Sequence, residues 1–191
     1  MKYHLFIFLL IPCFAFSQDW KKLGSDIDGE ASGDQFGESV SISSDGSIIA
    51  IGAENNDGNG SNSGHVRVYE WNGSAWVQRG IDIDGEASFD YCGSSVSLSS
   101  DGTIVAVSSL YNDDNGTNAG HVRVYEWNSG SSSWVQKGSD IDGEAANDYS
   151  GGSVSLSSDG TIVAIGAMWN DGNGSNSGHV RVYKWNGTTW V

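Results

Sequence analysis

Polar and apolar residues alternate strictly in three short stretches, Ser39 to Ser43 (SVSIS), Ser95 to Ser99 (SVSLS) and Ser153 to Ser157 (SVSLS). Period two marks a half-buried β-strand, because successive side chains of an extended chain point to opposite faces. In the first stretch Val40 and Ile42 therefore share a face. Asp45-Gly46 follows, a pair suited to a two-residue hairpin turn because glycine accepts positive φ without penalty. Ile48 to Ala53 (IIAIGA) is a continuous apolar run, short enough for a strand buried on both faces. After a polar loop the alternation returns in His65 to Trp71, with Val66 and Val68 opposite His65, Arg67 and Tyr69. Asn72-Gly73 makes another turn, and Trp76 to Ile83 reads as a fourth strand. No stretch of ten to twelve residues has helical periodicity, so almost no helix is expected.

The same order of landmarks occurs three times. Trp20, Trp76 and Trp134 each open a unit of about 57 residues, and Trp190 opens a fourth that has barely begun. Each unit runs through an (S/I)DIDGEA segment, the alternating stretch and its hairpin, and a GHVRVY(E/K)WN strand. The middle unit is longer only at Asn128 to Ser133, inside a turn. Four short strands per repeat, punctuated by turns, predict an all-β chain of four-stranded antiparallel β-propeller blades. A single blade cannot bury both faces of its sheet, so the Val and Ile faces are expected to pack between neighbours. The expected units are 20–75, 76–133 and 134–189, within a repeat region of 18–191. Three blades fall short of the usual four to eight. The expectation is therefore self-association, or further blades of a larger propeller of which this chain is a part.

Composition narrows the functional classes. With 38% apolar residues and 11% aromatics the chain is too rich in core-forming side chains to be disordered. The 27 glycines lack collagen's period of three. Nine Lys and Arg against 24 Asp and Glu argue against nucleic acid or an anionic membrane as partner and favour cations. Residues 1–17 have a basic residue at Lys2, an apolar run from Leu5 to Ile11 and the small-x-small sequence Ala15-Phe16-Ser17, the pattern of a cleaved signal peptide. Secretion or display at the cell surface is expected, and no later apolar run is long enough for a transmembrane segment. Removing residues 1–17 removes Cys13 and leaves Cys92, read as a buried thiol.

Phe36-Gly37-Glu38-Ser39-Val40, then Ile49-Ala50-Ile51-Gly52-Ala53, then Gly64-His65-Val66-Arg67-Val68-Tyr69, resemble the FG-GAP repeat of integrin α-subunit propellers and related bacterial surface proteins. The resemblance extends over all three units, although Cys92 and Ser150 stand where the first unit has Phe36. The order SxSxDG, apolar strand, VRVY also resembles WD-type repeats. Either resemblance implies that Val40-Ser41-Ile42 lies innermost and Trp76 to Ile83 outermost. Many FG-GAP repeats hold calcium between their first two strands, but here that place contains only Ser43-Ser44-Asp45-Gly46 and its copies, so that site is not carried over.

A different acidic set recurs between blades: Asp26, Asp28, Glu30 and Asp34; Asp82, Asp84, Glu86 and Asp90; Asp140, Asp142, Glu144 and Asp148. Alternating carboxylates in a glycine-containing turn can direct several oxygens at one centre, so each quartet is a candidate Ca2+ site. The competing reading is a turn whose carboxylates are solvated or accept backbone N–H bonds. The loops 55–64, 111–120 and 169–178 begin with Asn55, Tyr111 and Trp169 and continue to Asp57, Asp113 and Asp171. These six residues are the candidate ligand-binding set, because aromatics on a rigid scaffold stack on sugars or anchor a protein. The competing reading is again an Asx-rich turn. Asn-Gly-Ser/Thr triplets at Asn59, Asn72, Asn115, Asn173 and Asn186 fit either glycosylation or turns. His65, His121 and His179, beside Arg67, Arg123 and Arg181, recur as equivalents, which suggests packing or hydrogen bonding rather than a catalytic centre. No nucleophile elbow, HExxH, P-loop or dinucleotide fingerprint is present. The sequence thus points to a non-enzymatic binding or adhesion module for an extracellular protein or glycan. The alternatives are a purely structural repeat protein and a propeller glycosidase.

Overall fold

The computed structural model describes residues 20–191, and the signal-peptide expectation for residues 1–17 lies outside the described residues. Three antiparallel sheets follow one another along the chain, and the elements of the described residues are all strands. The first sheet contains β1 (Ser39–Ile42), β2 (Ile48–Ala53), β3 (His65–Trp71) and β4 (Trp76–Gln78) in that order, with β5 (Ile83–Asp84) also on β3. The second repeats it as β6 (Cys92–Leu98), β7 (Ile104–Ser109), β8 (His121–Asn128), β9 (Ser133–Gln136) and β10 (Ile141–Asp142). The third has β11 (Ser150–Leu156), β12 (Ile162–Ala167) and β13 (His179–Lys184), and a Trp185–Trp190 bridge begins its fourth strand. These are propeller blades, with the alternating stretch and the Trp strand at opposite edges of each sheet.

Each hairpin turn is fixed by its aspartate. Asp45 Oδ1 accepts from Ser43 Oγ at 2.7 Å and from the Ser47 amide at 3.0 Å, and Asp101 and Asp159 repeat the arrangement. The apolar strands β2 and β7 are almost wholly buried, as their unbroken apolar runs predict. Two clusters form the core, and each lies between blades. Val66 and Val68 of the first blade meet Val96 and Leu98 of the second. Val122 and Val124 of the second meet Val154 and Leu156 of the third.

The period-two serines face the following blade. Ser41 Oγ accepts from the Leu98 amide at 2.9 Å, and Ser97 Oγ accepts from the Leu156 amide at the same distance. At the hairpin tips the Ser44 amide donates to Ser100 O and the Ser100 amide to Ser158 O, each at 2.8 Å. An inner strand is thus sandwiched, its aliphatic face against the preceding blade and its hydroxyl face against the next. Among the described residues, the two outermost sheet faces lack such partners. Val40, on the first, is 60% exposed against 8% for its equivalent Val96; Val180, on the last, is 67% exposed against none for Val122.

Two expectations about strands are corrected. Trp76 to Ile83 is interrupted between β4 and β5, where Gly80, at φ 85°, lies under Trp127 and Trp134 of the next blade. Trp20 to Ile27 is not a strand. It is equivalent to the segment from Trp76 onward, but among the described residues no third strand lies beside it to accept its backbone hydrogen bonds. It is held instead by Trp76, whose indole N–H donates to Leu23 O at 3.1 Å, as Trp134 donates to Arg79 O at 2.8 Å. Cys92 is buried, with Sγ 3.8 Å from Ile83 O.

Candidate functional site

The loops 55–64, 111–120 and 169–178 connect the second and third strands of their blades, and each is closed by its own polar side chains. Asp57 Oδ1 accepts from the Asn62 amide at 2.8 Å, Asp113 Oδ1 from Asn118 at 2.7 Å and Asp171 Oδ1 from Asn176 at 2.6 Å. Three of the six candidate ligand residues therefore shape loops. Of the triplet asparagines, Asn72 and Asn186 serve turns by accepting from backbone amides two residues on, whereas Asn59 and Asn115 tie their loops to the linkers by donating to Gly85 O and Gly143 O.

The aromatic candidates are placed differently. Tyr111 packs against Tyr91 at a centroid distance of 4.8 Å and against Tyr149 at 5.2 Å, and Tyr149 meets Trp169 at 6.3 Å. Four rings thus form a row across the second and third blades. Tyr111 remains 38% exposed and Trp169 47% exposed. Tyr111, Tyr149 and Trp169 line a cleft of about 450 Å³ together with Asn147 and Asn176. Sequence reasoning missed Tyr91 and Tyr149. The signal was their alignment with Gln35, directly after the buried aspartates Asp34, Asp90 and Asp148. The first repeat has Gln35 and Asn55 where the others have rings, so the row does not extend onto it. A larger cavity of about 580 Å³ is walled by Gly166, His179 and Val180, on the unpaired face of the third blade, and belongs to that inter-blade surface.

The acidic quartets separate. Asp34, Asp90 and Asp148 are buried and accept from Asn56, Asn112 and Asn170, which fastens each linker to the loop of its own blade. Asp26 pairs with Lys22 in solvent. Asp28 is exposed. Asp84 and Asp142 present backbone carbonyls to Arg123 and Arg181 at 2.8 and 2.6 Å, and burial pushes their carboxyls above the ordinary range. Among the described residues, the groups that could share one ion are Glu30, His65 and Asp82, and Glu86, Asp114, His121 and Asp140. Each group takes a glutamate from the linker entering a blade and an aspartate from the linker leaving it, around that blade's histidine. In the third blade Glu144 approaches His179 at 3.6 Å. Alternate carboxylates of one linker thus face different neighbours.

In the first blade Arg67 fills the space between the carboxylates. It donates from Nε to Asp82 Oδ1 at 3.0 Å and from Nη2 to Asp82 Oδ2 at 2.8 Å, and also contacts Glu30. Hydrogen bonds from Arg67 and then Asn56 hold the Glu30 carboxyl below its ordinary value. Burial opposes ionisation of Asp82, but the bonds from Arg67 and Gln78 outweigh it, and its pKa is also lowered. Burial, reinforced by Arg67, lowers the pKa of His65.

Residues 25–69 and 137–183 match the family model of the FG-GAP repeat. Two stretches of the chain are thus similar to the FG-GAP repeat. No curated protein matches it in sequence. Among solved structures it is similar to the periplasmic gluconolactonase PpgL of Pseudomonas aeruginosa, with a TM-score of 0.50 and 18% identity over 77% of this chain and 39% of that one. It also resembles hydrazine synthase of Kuenenia stuttgartiensis (TM-score 0.49, 16% identity, 80% of this chain and 35% of that). Sqt1 of Saccharomyces cerevisiae is similar at a TM-score of 0.48 and 14% identity, over 80% of this chain and 33% of that. The chain thus spans between about a third and two-fifths of the length of these proteins. At such identity the likeness to the gluconolactonase is one of fold alone. No helix among the described residues is long and apolar enough to cross a membrane.

Proposed function

We propose that the FG-GAP repeats form a secreted or surface-displayed binding module, without catalytic activity, that recognises a glycan through Tyr91, Tyr111, Tyr149 and Trp169. The observation that carries this reading is the row of four rings, three of which line a cleft edged with amides. Sugar rings stack their C–H faces on aromatics, and asparagine amides supply both donors and acceptors for hydroxyls. Tyr111 and Trp169 stand on loops closed by their own aspartates, so little ordering entropy is lost when a ligand is bound. In contrast, the histidine and arginine positions repeat in every blade, unlike the single unrepeated constellation of a catalytic centre.

A glycan array probed with the protein, followed by tryptophan-fluorescence titration of the hits, tests the proposal. Trp169→Ala and Tyr111→Ala each lower affinity at least about tenfold with unchanged circular dichroism, since exposed anchors contribute binding energy more than stability. Glycan binding that survives both substitutions refutes the assignment of the site. A blank array combined with capture of a defined extracellular protein moves the ligand class to protein. A blank in both assays leaves the purely structural repeat protein.

A further inference from the structure

We infer that the second repeat holds one divalent transition cation of the zinc class, bound by Nδ1 of His121 and the carboxylates of Asp114, Asp140 and Glu86. The ligand atoms of these four residues lie within 4.8 Å of one another. His121 is fully buried, and neither of its ring nitrogens has a hydrogen-bond partner. A buried polar atom without a partner is costly, and native structures rarely leave one without a reason. Nδ1 is aimed into the cluster, 3.7 Å from Asp140 Oδ2 and 3.9 Å from Asp114 Oδ2. Those separations are too long for hydrogen bonds. They are close to the spacing of about 3.4 Å expected between two ligands of a tetrahedral ion with bonds near 2.1 Å. A cation here gives Nδ1 a partner with only a small contraction of the side chains.

The other repeats show why the second is distinctive. Gly58 and Gly172 stand where it has Asp114, which therefore adds a carboxylate the other blades lack. In the first blade the guanidinium of Arg67 lies between Glu30 and Asp82. In the second, Arg123 turns to the Asp84 carbonyl at 2.8 Å and reaches the cluster only through Glu86, at 3.3 Å. Three carboxylates against one guanidinium leave two negative charges around a neutral imidazole, which a divalent ion balances. In the first blade two carboxylates and one guanidinium leave one. The third offers His179 only Glu144 among the described residues. One imidazole with three carboxylates suits zinc, which accepts nitrogen and carboxylate ligands in a tetrahedron, better than calcium, which takes six to eight oxygens. This inference is independent of the glycan reading, since neither His121 nor any of the three carboxylates belongs to the aromatic row.

Calorimetric titration of the metal-stripped protein with Zn2+, and absorption spectroscopy after loading with Co2+, test the site. One Zn2+ per chain is expected, without competition from equimolar Ca2+, and the Co2+ form develops visible d–d bands. Asp114→Gly recreates the residue of the other two repeats on a loop they already fold with, so it preserves the sheet. It weakens Zn2+ binding at least about tenfold and diminishes the Co2+ bands. His121→Gln abolishes both. Failure of the folded parent protein to take up Zn2+, or an unchanged isotherm for Asp114→Gly, overturns the inference.

Discussion

Gly64, Gly120 and Gly178 immediately precede the third strand of their blades with nearly the same φ, 70°, 71° and 66°. They are a controlled experiment in inter-blade packing. Alanine at any of them must adopt the left-handed region, at a cost of about 1–2 kcal/mol. At Gly178 little is added, because a new Cβ would meet Met168 O at 3.0 Å and nothing closer. At Gly120 it would overlap Ser150 O and lie 2.8 Å from Ser150 N, backbone at the point where the linker enters β11 of the next blade. That linker cannot easily withdraw, because the Ser150 amide donates to Ala119 O at 2.8 Å and the Gly143 amide to Gly120 O at 2.7 Å. Gly64 faces Cys92 in the same way. Forced overpacking adds about 1–3 kcal/mol. The expected losses are therefore about 1–2 kcal/mol for Gly178→Ala and about 2–5 kcal/mol for Gly120→Ala. For a domain of this size each kcal/mol moves the melting temperature by about 2–4 °C, so the two variants separate by about 2–12 °C. Thermal and urea denaturation, followed by tryptophan fluorescence, measure the difference. Equal losses for the two variants would refute the claim that linker and blade are locked backbone to backbone.

Two further outcomes follow from the structure. Bonds from the Ser43 and Ser157 hydroxyls, then from the Ser47 and Thr161 amides, bring the carboxyls of Asp45 and Asp159 from 3.8 to about 2. A lowered folded-state pKa stabilises above the unfolded value and loses that contribution as pH falls through the folded value. The denaturation midpoint should thus drop between pH 4 and pH 2, less steeply in an Asp45→Asn, Asp159→Asn variant. A parallel pH profile for that variant would count against the turn assignment. Val180 and Val182, exposed on the last sheet, form part of an apolar face whose equivalents are buried between blades. The parent protein should self-associate in light scattering coupled to size exclusion, and Val180→Lys with Val182→Lys should suppress it. A monodisperse parent would speak against a sticky terminal face.

The strands were legible because each carries its own pattern: alternation in Ser39–Ile42, an apolar run in Ile48–Ala53, alternation again in His65–Trp71. Repetition made the propeller legible, since a motif that recurs in register needs a neighbour to cover it. Interactions between repeats were harder to read. The serines of the alternating stretch seemed to mark a polar face, yet their hydroxyls accept amides of the next blade. The linker carboxylates looked like members of one loop, but Glu86 and Asp140 meet only because a whole blade lies between them in sequence. Tyr91 and Tyr149 escaped notice for the same reason: each stacks on a ring contributed by a different stretch of chain. His121 was read as framework because it repeats, although only its own repeat contains Asp114.

The serine stitches give the blade array a direction. Each inner strand offers hydroxyl acceptors on one side, and its aliphatic side, with the amides those acceptors require, faces the other way. Two copies joined through one face, about a twofold axis lying in that interface, would set like against like, acceptors on acceptors or valines on valines without the stitching bonds. Only a head-to-tail approach satisfies both sides, and such an interface is heterologous. Any assembly through these faces must therefore close as a ring or grow as a filament. The rotation between neighbouring blades, rather than the affinity of the contact, decides which of the two forms.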